Sequence, residues 1–287
     1  MPFAPGSAPD VMARLLAPSM AESMAAAVVV ENLPGAGGTI GVDRVAKAAP
    51  DDYTLVVAGD AALVLSGSYG VKPPYQTLKD LAPITQLAVT PNVLIVANDV
   101  PARTVLELAE LVRRQPGRFS YASNGIGLSQ HRAGELFNSM AGLDMMHVPA
   151  SATAMPDVIA GRVQVFFANI SSALPLAREG KVRALAISSL TRSAAAPDLP
   201  TVSESGFPGF ESVAWFGLLA PAGTPAAILQ QREAQAQKAL AGSALSARLV
   251  TMGATPGAPT AAAFNRVIQE ETIKWAAKAP NSIVQKP

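Results

Sequence analysis

Four short segments of this 287-residue chain gather glycine, serine and proline where a strand gives way to a helix. They are Pro5-Gly6-Ser7-Ala8-Pro9-Asp10, Pro34-Gly35-Ala36-Gly37-Gly38-Thr39-Ile40-Gly41, Ser123-Asn124-Gly125-Ile126-Gly127-Leu128-Ser129 and Pro149-Ala150-Ser151-Ala152-Thr153. The chemistry open to them is anion binding. The first turn of a helix leaves backbone N–H groups without intrahelical partners, and the helix dipole adds partial positive charge there. Glycine and serine let a ligand come close to the backbone. An anion can then be held without lysine or arginine. Any one such turn could equally be a tight connection, but four of them with few charged residues favour an anion site. Asn169, close behind an apolar run and followed by Ser171-Ser172, could donate a further hydrogen bond or simply order a loop.

Other chemistries find less support. Ser129 and His131 invite a hydrolase reading, but residues at i and i+2 on a helix point in different directions. The segment around Gly35 and Gly37 resembles a dinucleotide fingerprint, with Asp60 downstream. Ile40 fills its third glycine position, and Glu31-Asn32-Leu33-Pro34 separates the preceding strand from the glycines. There are no cysteines, so disulfides, thiolate metal sites and cysteine nucleophiles are excluded. The two histidines, His131 and His147, lack metal-ligand spacing. We therefore expect no metal, no cofactor and no catalysis. The balance of 22 basic and 21 acidic residues offers no basic face for nucleic acid. No apolar run approaches the roughly 18 residues of a membrane span, so a soluble protein is expected.

These loops need a scaffold, and the chain alternates short apolar runs with helical patterns. Candidate strands lie at 28–30, 54–58, 93–97, 119–122, 145–148, 163–167 and 185–188. Several are apolar without alternation, as when helices cover both faces of a sheet. Met12, Leu15, Leu16 and Met20 share one helical face, as do Val105, Leu108, Ala109 and Val112. Thr104-x-x-Glu107 and Thr201-x-x-Glu204 have the form of capping boxes, and Thr224-Pro225 reads as an N-cap followed by proline. Further helices are expected at about 225–241 and 260–276. The βαβα order predicts an α/β protein with mainly parallel sheets flanked by helices. Extended stretches near 92–99 and 210–221 read as crossings between two domains, one formed by 1–97 with 220–287, the other by 98–219. Trp215 and Tyr53 read as core or hinge packing.

Taken in order, these segments resemble the tripartite tricarboxylate transporter receptor (Bug) family. The resemblance rests on Pro2-Phe3-Ala4-Pro5-Gly6, Val30-Glu31-Asn32-Leu33-Pro34-Gly35-Ala36-Gly37-Gly38 and Ala49-Pro50-Asp51-Asp52-Tyr53-Thr54-Leu55. It continues through Lys79-Asp80-Leu81-Ala82-Pro83, Tyr121-Ala122-Ser123-Asn124-Gly125 and Ser129-Gln130-His131-Arg132-Ala133-Gly134-Glu135. It ends with Pro197-Asp198-Leu199-Pro200-Thr201-Val202 and the run from Trp215 to Pro225. It implies a two-lobed, type II periplasmic binding (Venus flytrap) fold that captures a small carboxylate in an interlobe cleft. The ligand would be a di- or tricarboxylate or an acidic amino acid, for delivery to a membrane permease or for sensing. Carried over residue by residue, it points to Gly6, Ser7, Asp10, Gly37, Ser123, Gly125, Gly127 and Ser129. Gly38, Asn124, Ala152 and Asn169 complete the candidate set from the same loops. The implied protein is a periplasmic monomer.

The chain also departs from the family pattern. Met1-Pro2-Phe3 opens without a signal-peptide pattern, and the family's first strand is not seen before it. Asp52 stands where the family has glycine. The loop after Val148 is shorter and lacks the family's tyrosine and lysine, and Ala168 replaces an aspartate. A truncated or degenerate member without binding is the alternative these departures raise.

Overall fold

The computed structural model describes residues 1–65, 73–150 and 153–278. Ala152, one of the candidate contacts, lies outside the described residues together with Ser151. In chain order, α1 (Ala8–Met24) and a 3₁₀ turn (Ala36–Gly38) lead to α2 (Thr39–Ala46) and β1 (Val56–Gly59). Then come α3 (Thr77–Asp80), β2 (Leu81–Val96), α4 (Val105–Arg113), β3 (Ser120–Ser123) and α5 (Ser129–Ala141). They are followed by β4 (Met146–Pro149), α6 (Met155–Ile159), β5 (Val165–Asn169), α7 (Ile170–Arg178) and β6 (Arg183–Ile187). The chain continues through β7 (Val213–Pro221), α8 (Ala226–Ala241), α9 (Ser243–Thr251) and α10 (Ala261–Lys278). It forms two compact units. Unit 1 comprises Met1–Val89, Trp215–Leu249 and Ala254–Pro287; unit 2 comprises Thr90–Ala214 and Val250–Gly253.

In unit 1, β1 pairs antiparallel with β7, placing Val57 opposite Leu218 and Gly59 opposite Phe216. The helix α1 packs on β1 and α8. Met12, Leu16 and Met20, spaced four apart, form its buried stripe. Leu15, expected on the same face, is half-buried. Trp215 is buried edge-on to Phe264 of α10, with centroids 5.5 Å apart. Gly217 makes room for that ring, since a Cβ there would lie 2.1 Å from Phe264 Cζ. Tyr53, expected to pack, is exposed.

Residues 28–30 form no strand, although three valines suit one. A strand requires a partner edge, and no described strand pairs with these residues; the nearest bridge is at Glu31 and Leu33. The Met1 ammonium donates to the Glu31 carbonyl at 2.9 Å, and Leu33 N–H donates to the Met1 carbonyl at 2.8 Å. Beside this bridge lies a groove of about 550 Å³ whose walls include Leu16, Met20, Val28, Val45, Leu55 and Val57.

In unit 2, β2 is flanked by β5 and β6, both antiparallel to it. β3 runs parallel to both β4 and β5, so Tyr121 stands opposite His147 on one side and Val165 on the other. Val105, Leu108, Ala109 and Val112 are the buried face of α4. Phe137, Phe167, Phe207 and Phe210 meet in a ring cluster with centroids 5.2–6.4 Å apart.

The α/β reading stands, with sheets that are mixed rather than mainly parallel. β2 and β7 carry the chain from one unit into the other, and they enter without the crossover helix that makes neighbours parallel. The Thr104 cap forms as expected, with Glu107 N–H donating to Thr104 Oγ1 at 3.1 Å. Thr201 and Glu204 also make their reciprocal pair, at 3.0 and 2.8 Å, but no helix follows. Gly206 at φ +98° and Pro208 end the turn instead. Thr224 Oγ1 donates back to the Pro221 carbonyl, and Pro225 takes the N-cap of α8. α9 is additional to the two helices expected in that region.

Candidate functional site

The first two loops belong to unit 1. Asp10, in the first turn of α1, is buried and turned inward. Its Oδ2 accepts Gly6 N–H at 2.8 Å and Arg14 Nε at 2.9 Å, and its Oδ1 accepts Asn32 Nδ2 at 2.8 Å. The Arg14 hydrogen bond, aided by Asn32 and Gly6, outweighs burial and holds this carboxyl at about 2. Asp10 therefore shapes the loop, and it already uses the Gly6 N–H. Ser7 gives its hydroxyl proton to the Ala4 carbonyl at 2.7 Å and forms no side-chain cap. The N–H groups of Ala8 and Asp10 open α1 beyond it, with Pro9 contributing none.

In the second loop, Gly37 and Gly38 are left-handed at φ +65° and +99°. Their surroundings separate their roles. Nothing lies within 4 Å of where a Cβ would stand on Gly37 or Gly6, whereas Gly38 would meet Pro2 at 3.3 Å and Ala62 at 3.4 Å. Gly38 is thus a packing glycine under the Pro2-Phe3 segment, and Gly6 and Gly37 have open space where a side chain would stand. The groove beside Met1 includes none of these residues, and its aliphatic walls do not suit an anion.

Unit 2 brings the third loop against α5, β4 and β5. Gln130 ties it to its neighbours: its Oε1 accepts Asn124 N–H at 2.9 Å, and its Nε2 donates to Asn169 Oδ1 at 3.2 Å. Asn124 Oδ1 accepts the N–H of Ala154 at 2.9 Å. Gly127 N–H donates to His131 Nδ1 at 3.1 Å, and Gly125 N–H donates to Ser123 Oγ at 3.2 Å. Ser123 Oγ lies 2.7 Å from His147 Nε2. The two imidazoles face each other at 4.1 Å, and Tyr121 stacks beside them at 5.0 Å from His147 and 6.4 Å from His131. Burial is the main reason both rings titrate low, at about 4. The Arg132 cation adds to the effect on His131, and His131 itself to that on His147. Gly134 permits the stack, for a Cβ there would sit 2.2 Å from the Tyr121 ring.

Ser129 opens α5, and its hydroxyl points to Asn92 Oδ1 at 3.4 Å rather than to His131. Ser212 Oγ donates to the Ser129 carbonyl at 3.1 Å, and Ser188 Oγ donates to the Ser212 carbonyl at 2.7 Å. Asn92 N–H donates to Ser188 Oγ at 2.8 Å, completing a buried polar network below the loop. No nucleophile–base pair arises from Ser129 and His131. Ser123, the serine that does touch a histidine, is fully buried. Among the described residues no group of three or more His, Asp or Glu could hold a metal.

Gly6 and Ser7 thus stand with Asp10 in unit 1, where Asp10 is tied to Asn32 just before the Gly37 loop, and Ser123, Asn124, Gly125, Gly127, Ser129 and Asn169 are brought together around Gln130 and His131 in unit 2. Sequence reasoning missed Gln130, His147, Asn92, Ser188 and Ser212. For Gln130 and His131 a signal existed: both stand in the first turn of α5, where side chains reach back to the preceding backbone.

Comparison with known proteins adds an independent line. The family model described as tripartite tricarboxylate transporter family receptor matches residues 12–282. A UPF0065 protein of Pseudomonas sp. (strain P51) from the tcbD-tcbE intergenic region is 36% identical, over 96% of this chain and 82% of its own length. The structure of R. palustris Rpa4515 with adipate superposes with a TM-score of 0.86 at 29% identity, covering 97% of this chain and 94% of that one. MatC (Rpa3494) from Rhodopseudomonas palustris with bound malate gives 0.82 at 34%, covering 97% and 96%.

Proposed function

Since the chain belongs to the tripartite tricarboxylate transporter receptor family, we propose that it binds an aliphatic dicarboxylate, and that the helix-opening loops at Gly6 and Gly37 in unit 1 and at 123–129 in unit 2 each serve as a carboxylate-accepting set. Members of this family are periplasmic solute-binding proteins with a bilobed fold, and this chain is such a carboxylate-binding receptor of the transporter rather than an enzyme. What remains for argument is the site and the class of ligand.

The observation that carries the reading is the pair of left-handed glycines with open space before them, Gly6 and Gly37. A left-handed glycine facing nothing has no packing role. Such glycines also occur in plain turns, as at Gly142 after α5, but Gly6 and Gly37 lie just before a helix N-terminus, where donors and dipole favour an anion. Unit 2 carries its own set, opened by α5 and braced by Gln130 and the two histidines. The ligand in this reading is an aliphatic dicarboxylate. The adipate and malate of the two related structures support that class.

Asp10 acts as a positioning residue in this reading, since both its oxygens are taken by protein donors. Ser129 contributes its backbone N–H and not its hydroxyl. Calorimetric titration of the ligand-free protein against succinate, malate, glutarate and adipate tests the proposal. Saturable one-to-one binding of at least one is expected. Failure of all four, with binding of a monocarboxylate or of none, would overturn it.

A further inference from the structure

We propose that His131 and His147 position the loop at 123–127 as a pair of neutral rings, and that its grip on a carboxylate exists only while both are uncharged. The proposal rests on the loop's assignment as part of the ligand site, but its central geometry stands apart from that assignment.

Each loop glycine is tied to one ring. Gly127 N–H donates directly to His131 Nδ1, so this nitrogen carries no proton. The ring's proton therefore sits on Nε2, which lies 4.0 Å from Glu135 Oε1. Gly125 N–H reaches His147 through one intermediary, Ser123 Oγ. Gly125 and Gly127 adopt φ +153° and +81°, two of the many conformations open to glycine, so bonded partners must select them. Among the described residues no other side chain is bonded to these two N–H groups, so the rings set where the remaining N–H groups of the loop point.

Three elements face the pair. From α5 come Arg132 and Glu135, from β3 Tyr121 and Ser123, and from β4 His147 itself. The Tyr121 hydroxyl is hydrogen-bonded to Glu135, which fixes the one acidic neighbour away from full contact with His131. With ring centroids 4.1 Å apart and a guanidinium on the adjoining residue, a second positive charge is strongly opposed. A proton placed on His131 Nδ1 would also set a donor against the Gly127 N–H. The hydrogen bond would become a repulsion, and the loop would have to move.

Substitution separates these roles from simple packing. His131→Asn leaves an oxygen acceptor near the position of Nδ1 and cannot be protonated. His131→Leu keeps bulk but offers no acceptor. His147→Gln keeps a polar end within reach of Ser123. The full chain and its variants would be titrated with adipate and succinate, and hydrogen exchange of the Gly125 and Gly127 amides followed by NMR. His131→Leu is expected to lose about tenfold in affinity, the worth of one hydrogen bond, with faster Gly127 exchange. His131→Asn is expected to recover most of both measures, and His147→Gln to disturb them far less than His131→Leu. As pH falls from about 7 toward 4 the wild type should lose affinity faster than His131→Asn. Ligand protonation affects both proteins alike and cancels in that ratio. Unchanged Gly127 exchange in a folded His131→Leu protein, or equal pH profiles for wild type and His131→Asn, would overturn the proposal. If the wild type bound neither ligand, the grip on carboxylate would be refuted with the function proposed above, while amide exchange would still decide the positioning role.

Discussion

The guanidinium of Arg232 pairs with both carboxylate oxygens of Asp52, a residue held at φ +77°. The Nε–Oδ1 bond is 2.8 Å, and Gln235 Oε1 accepts Arg232 Nη1 at 2.7 Å. A non-glycine residue in the left-handed region costs roughly 1–2 kcal/mol, and the ion pair offsets that cost. The Asp52→Gly variant should relieve the strain but leave a buried arginine short of its partner, a loss of about 3–5 kcal/mol. A net destabilisation of about 2 kcal/mol is expected by urea unfolding. A higher unfolding midpoint in the variant would show that strain outweighs pairing.

Asp10, as a positioning residue in the proposed site, ties the anchor of the first loop to binding. Asp10→Ala leaves Gly6 N–H, Asn32 and Arg14 without their acceptor. Stability should fall by about 2–3 kcal/mol, in line with hydrogen bonds to a charged group. Dicarboxylate affinity should fall as well, because the Gly6 loop loses its anchor. Thermal melts and titrations on the same sample check both. Normal affinity in a destabilised variant would detach Asp10 from the site.

Acid should weaken the fold in two steps. Both histidines titrate near 4 in the folded protein against an ordinary 6.5, so the unfolded chain takes protons first. Their contribution is complete above about 6.5 and declines as pH falls to about 4. Asp10 has its pKa lowered from 3.8 to about 2, so its contribution is present above 3.8 and declines as pH falls to about 2. Melting temperature measured against pH should show a decline in each window. The double variant His131→Asn/His147→Gln should lose the upper decline and keep the lower one.

The glycines of the second loop should divide by function. Gly37→Ala, like Gly6→Ala, meets no atom, so its stability cost should be the conformational one of about 1–2 kcal/mol. Its methyl would nonetheless stand where a ligand approaches, and affinity should drop at least about tenfold. Gly38→Ala would press on Pro2 and Ala62, and its main effect should be on stability. Calorimetry of the three variants distinguishes these outcomes, and equal binding losses for Gly37→Ala and Gly38→Ala would erase the distinction.

Local pattern carried the elements well. The α4 stripe follows from the spacing of Val105, Leu108 and Val112, and most strands follow from apolar runs. The glycine loops were visible because backbone conformation is written in residue type. What escaped depends on distant partners. Asp10 looks like a ligand-facing carboxylate until Asn32, 22 residues on, is seen to hold it. His147 joins Ser123 only through the β3–β4 register, which no local window contains. Residues 28–30 have every feature of a strand except a neighbouring one, and the mixed pairing of β2 and β7 depends on how the chain returns.

The closure of Asp10 onto Arg14 has a kinetic consequence. This arginine flanks the first loop, and its charge is already matched within 2.9 Å. The chain as a whole carries a net charge of only +1. An approaching dianion therefore meets little long-range field to draw it in, and the pull begins only within a helix turn of the loop backbone. Its arrival rate should change little as salt shortens the screening length from about 30 Å at 0.01 M to about 8 Å at 0.15 M. Discrimination among carboxylates would then be made after encounter, in how long each one stays.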